Sequence, residues 1–179
     1  MSDSWSMIVM PLVVSVLALT VPGILVLAAG WGVRNLRILV LAPVVSIAIL
    51  ALSATAAPLV GLEWSPLPIA VLTLVAAAAA YGLRRWVGRV DGDRTPSSTF
   101  LWAGIALVTS AVAIALQLAR VFGGPSHISQ TFDAIVHLNT VAYAVDTSNA
   151  SAFHIGLTSD IGFYPNGWHT VAALAAELT

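Results

Sequence analysis

The chain has 179 residues, 59% of them hydrophobic and only 8% charged, with a formal net charge of −1. A soluble domain carries roughly 25% charged residues, so this chain cannot cover itself with a water-facing surface, and it reads as an all-α integral membrane protein. It has no basic stripe to contact a phosphate backbone, so no nucleic-acid partner is expected; with no cysteine, disulfides, thiolate metal sites and a cysteine nucleophile are excluded.

The N-terminus does not read as a cleavable signal. Met1-Ser2-Asp3-Ser4 carries no positive charge, and the apolar run behind it is too long for an h-region. That run, about residues 5–29, is the first expected span, long enough at 1.5 Å per residue to cross a ~30 Å hydrocarbon core. Pro11 and Pro22-Gly23 lie inside it, as a spanning helix tolerates. A connection with Arg34 and Arg37 leads to a second span, about residues 38–59, with Pro43 in its first turns. A short link holding Glu63 precedes a third span at about residues 67–83. There the run Ala76 to Ala80 offers small side chains for close helix approach. The next loop carries Arg84, Arg85, Arg89 and Arg94 among Gly, Pro and Ser, which mark irregular backbone. Its arginines either mark topology or bind anionic headgroups. A fourth span, about residues 99–121, ends near Gln117 and Arg120, whose guanidinium can snorkel to the interface.

Six of the seven arginines fall in the first and third loops. The positive-inside rule therefore predicts those loops in the cytoplasm, with the N-terminus and residues 122–167 outside. Trp5, Trp31, Trp64, Trp86, Trp102 and Trp168 all fall near span ends, as an interfacial belt would. Residues 168–179 supply only the start of a fifth span, about 18 Å of helix. The expectation is a chain cut from a longer protein, with residues 1–121 a four-span bundle and 122–167 a polar outer loop.

The stretch of residues 130–170, which covers most of that loop and the start of the next helix, holds Asp133, Asp146, Asp160, His137, His154 and His169. Ser129 or Thr131 can cap a helix over about residues 130–145, with Asp133 in the first turn, where the helix dipole favours an anion. Phe132, Ile135, Val136, Leu138, Val141, Ala142 and Val145 recur at helical spacing, which predicts an amphipathic helix lying on the membrane surface. Asp133 and His137 are four apart and share a face. They are either a dipole-compensating carboxylate and a hydrogen-bonded interfacial histidine, or a catalytic or metal-binding pair. Asp146 reads as a helix-end residue, and Asp160 sits in a glycine-flanked loop. In Tyr164-Pro165-Asn166-Gly167-Trp168-His169 a tight turn sets His169 in the first turn of a new helix, aiming its ring back at the loop. Asp133, His137 and His154, with His169, form a reasonable donor set for a divalent metal ion such as zinc or manganese. No HExxH spacing, GxSxG elbow or Gly-rich phosphate loop is present.

FDAIVHLN, a spacer of about two dozen residues and YPNGWH before a hydrophobic stretch resemble a family of large actinobacterial multi-spanning membrane proteins. Those in turn resemble GT-C glycosyltransferases, which take a sugar from a polyprenyl-phosphate carrier at the outer membrane face. The resemblance covers roughly residues 99–179. It implies a bacterial plasma membrane location, membrane lipid and a polyprenyl-phosphate sugar as partners, and Asp133 as the essential acid, with Asp160 a second. It also implies that His137, His154 or His169 assists the leaving phosphate or helps hold a divalent ion. The sequence departs from the GT-C pattern in that four spans, not one, precede the acidic loop. The competing readings are a structural membrane protein and an outer-loop ligand or metal binder. A transport pathway would need charge inside the spans, and the first three show none.

Overall fold

The computed structural model describes residues 4–32, 36–88, 95–127 and 131–179, the side chain of Thr158 excepted. Arg34, Arg89, Arg94 and the alternative cap Ser129 lie outside them. The described residues form helices α1 (Val9–Trp31), α2 (Leu36–Ala56), α3 (Pro66–Val87), α4 (Ser97–Phe122), α5 (Phe132–Asp146) and α6 (Gly167–Leu178). Short 3-10 turns at Trp5–Ile8, Ala57–Val60 and Ile155–Ser159 complete them, and no strand occurs among the described residues.

Four of these elements are long and apolar enough to cross a membrane: Trp5–Trp31, Leu36–Val60, Pro66–Val87 and Ser97–Phe122. Each extends a few residues beyond its expected bounds. The α-helix is the natural state for such segments, because it satisfies every backbone polar group internally where no water can. The chain is therefore a multi-span, α-helical integral membrane protein.

Helix α1 is the centre of the bundle and packs against α2, α3 and α6. Its contact with α2 is closest at Gly23, where an added Cβ would strike the backbone of Ala42. Pro22 precedes Gly23 inside the helix, and the Gly23 N–H donates to Ser46 Oγ on α2 at 2.8 Å. A proline thus disturbs the helical ladder, and a serine on the neighbouring helix takes up a donor at the same level. Both Pro22 and Gly23 are buried, and Ser46 is fully buried. The alanine run on α3 plays a smaller part: Gly30 of α1 approaches Ala80 there.

The core gathers Leu50 and Ala54 of α2, Trp64 of the α2–α3 turn, Ala144 of α5 and Leu174 of α6. Trp64, 2% exposed, is a core residue and not part of an interfacial belt. Its backbone N–H donates to the Ser148 carbonyl at 2.7 Å, so the turn it occupies is roofed by the end of α5. The other five tryptophans are exposed. Helix α4 contributes nothing to this core: none of its residues is buried.

Because the atoms facing Gly23 are backbone, relaxation there is costly. Gly23→Ala is expected to lower stability by about 1–3 kcal/mol, as overpacking does. Gly82→Ala, which meets open space, should be neutral or gain up to about 1 kcal/mol from helix propensity. Thermal unfolding of the two variants in the same detergent tests this, and equal midpoints would refute the crossing.

Candidate functional site

The polar segment after α4 is built on α5. Its N-cap is Thr131, whose Oγ1 accepts from the Ala134 N–H at 3.3 Å, with Asp133 in the first turn. The helix docks on α6 and on the Ile155–Ser159 turn. The docked face is centred on Thr140 and Ala144, both buried. Phe132, Ile135 and Leu138 stay exposed. The apolar positions of α5 therefore do not form one stripe: Thr140 and Ala144 are buried, Val141, Tyr143 and Val145 pack against the core beside them, and Phe132, Ile135 and Leu138 face outward.

From Asp146 the chain folds back over α2. Asn166, 4% exposed, holds it there. Its Nδ2 donates to the Ala150 carbonyl at 2.9 Å, to Thr55 Oγ1 at 3.2 Å and to the Ala51 carbonyl at 3.3 Å. Asn166 is the N-cap of α6, and its side chain makes no capping hydrogen bond; its Nδ2 reaches α2 and the loop instead. Gly167 follows, its α-carbon close against Ile47 of α2. These contacts fix where α6 begins, and so where His169 stands.

His169 is 1% exposed, and its Nε2 lies 3.0 Å from Nδ1 of His137. Tyr164 and Trp168 enclose the pair, with ring centroids 5.4 Å and 4.2 Å from His169. Trp168 also meets His137 edge-on at 5.2 Å. His169 lies outside the four long spans, in the first turn of a twelve-residue helix. Burial, then the neighbouring charge of His137, lowers its pKa from 6.5 to about 4. The Pro165 carbonyl acts in the opposite sense, although its geometry falls short of a hydrogen bond and leaves His169 Nδ1 buried without a partner. Which of the two facing nitrogens donates is set by the tautomer of each ring.

The other expected site residues are placed differently. Asp133 is exposed, one helical turn before His137. Asp160 is exposed too, in left-handed backbone at φ 55° closing the Ile155–Ser159 turn, a conformation aspartate tolerates. His154 is half-buried at the head of that turn, with Nδ1 buried and unpartnered. Among the described residues no three His, Asp or Glu side chains gather closely enough to hold a metal ion. The trio Asp133, His137 and His154 is thus not assembled. His137 is turned toward α6, whereas Asp133 stands out at the start of α5 and His154 belongs to a separate turn. Asn166 is the residue that sequence reasoning missed: between proline and glycine it reads as a turn residue, and nothing local reveals its bonds to α2.

Four spans and a docked polar segment with a half-buried imidazole pair define a polytopic membrane protein. The chain belongs to DUF6541, a family of unknown function, which matches residues 16–179. No curated protein and no solved structure matches it.

Two outcomes follow for this site. Asn166→Ala should cost about 1–3 kcal/mol, the range for a lost buried hydrogen-bonding group, and should speed proteolysis between residues 147 and 165. An unchanged cleavage rate would count against the clasp. The unfolded chain takes up a proton at the His169 position near pH 6.5 and the folded chain only near pH 4. Stability from this group is therefore complete above pH 6.5 and falls as pH drops toward 4, by up to about 3 kcal/mol. In an NMR titration His137→Ala should raise the His169 value while leaving it below 6.5, since burial is the larger cause.

Proposed function

We propose that this chain works as part of a GT-C-like glycosyltransferase, which transfers a sugar from a polyprenyl-phosphate carrier to an acceptor at the outer face of a bacterial plasma membrane. The observation that carries the reading is the placement of Asp133. It is an exposed carboxylate at the start of a helix docked on a membrane bundle, one turn from an imidazole pair.

Asp133 takes the proton of the acceptor hydroxyl. The freed oxygen attacks the anomeric carbon, a new glycosidic bond forms, and the bond from that carbon to the carrier phosphate breaks. Polyprenyl phosphate leaves with the bonding pair. The His137 ring supports the charge growing on that phosphate while keeping its contact with His169. His169 itself, its pKa lowered to about 4, stays neutral at pH 7 and is the positioning residue. Asp160, closing a turn of its own, fits a role in shaping the loop better than one in the chemistry.

Positioned proton transfer contributes about 10²–10⁴-fold, so Asp133→Asn should lower sugar transfer from a polyprenyl-phosphate donor by that order. Transfer is read in membranes that carry the full-length protein. Wild-type rates in that variant, with expression unchanged, would remove Asp133 from the chemistry.

An alternative reading, a ligand-binding or purely structural membrane protein, draws on the same half-buried pair. It predicts no transfer from any carrier-linked sugar by the wild type.

A further inference from the structure

The end of α3 remote from the α2–α3 turn, some 30 Å along the helix, carries two clefts that meet. The first, about 290 Å³, lies between α1 and α3 and is lined by Val26, Leu27, Gly30, Leu83 and Val87. Its floor is low because Gly30 faces Ala80. The second, about 230 Å³, is lined by Tyr81, Arg84, Arg85 and Gly88. Arg84 and Gly88 line both, so an apolar slot opens directly onto two guanidinium groups. Arg84 is half-buried, with its Nη atoms beside Gly32, where a Cβ would stand 3.6 Å from each. Among the described residues no acidic side chain lines either cleft.

Arginines in the last turn of a spanning helix complement the helix dipole and snorkel. Neither role calls for an apolar slot beneath them. A slot in the membrane-embedded part of the bundle takes a hydrocarbon chain, and two forked cations with a phenol at the membrane boundary take a phosphate. One molecule satisfies both. We infer that Arg84, Arg85 and Tyr81 hold the phosphate of an anionic phospholipid whose acyl chain lies in the α1–α3 slot.

Native mass spectrometry of the purified full chain, titrated with phosphatidylglycerol or with phosphatidylcholine of the same chain length, tests this. About tenfold or greater preference for phosphatidylglycerol is expected, since each basic residue near an anionic surface contributes appreciably. The double variant R84Q/R85Q should lose that preference. Ala80→Leu, which raises the floor of the slot, should weaken retention of both lipids. Arg120→Gln, at the end of α4, should change nothing. Thermal unfolding of each variant in detergent identifies any that fails to fold, and A80L and R84Q/R85Q perturb separate halves of the site. Equal retention of the two lipids overturns the inference, as does loss of preference in R120Q to the same degree, which would mean charge counting alone. Displacement of the lipid by soluble glycerophosphate at equal concentration would also overturn it, because the slot would then add nothing. A gain of phosphatidylglycerol binding in D91N/D93N would show that the loop's own aspartates occupy the arginines, with the same consequence.

Discussion

One side-chain amide ties the polar half of this protein to its apolar half. Asn166 is buried against α2, and its two N–H groups reach Ala51, Thr55 and Ala150. In a low-dielectric setting such bonds are strong, and leaving the amide unpaired is expensive. The amide therefore has one good position. That position sets the start of α6, which sets the depth and direction of His169, which in turn meets His137 at 3.0 Å. Trp64 closes the arrangement from the other side by holding Ser148. The imidazole pair is thus a consequence of a clasp made several residues away.

The bundle beneath obeys a different logic. Lipid is as apolar as leucine, so burying leucine between helices gains little there, and close packing at small residues decides which helices adhere. Gly23 against Ala42 is such a place, with Ser46 taking up the N–H beside the proline. Helix α4 has alanines too, yet none of its residues is buried. Having small residues is not enough; a partner helix needs a matching depression.

These two logics explain what could be read from the chain in advance. Spans were legible because twenty consecutive apolar residues have one stable form in a membrane. A cap at Ser129 or Thr131, the first-turn Asp133 and the helix-opening position of His169 were legible because their signals are local. Which face of a uniformly apolar helix turns inward was not legible, since such a helix shows no stripe. The same limit hid the burial of Trp64, which looked like one more interfacial tryptophan, and the inward face of α5, where Thr140 and Ala144 dock while Phe132, Ile135 and Leu138 remain outside. Asn166 was hidden for another reason: its partners on α2 lie more than a hundred residues upstream, and a turn asparagine looks the same with or without them.

The clasp also limits the chemistry of the pair. Burial and the neighbouring charge of His137 hold the pKa of His169 near 4, so this ring stays neutral at pH 7 and meets His137 as an uncharged partner. The enclosing Tyr164 and Trp168 rings strengthen the same limit, since they exclude the water that would stabilise a doubly charged pair.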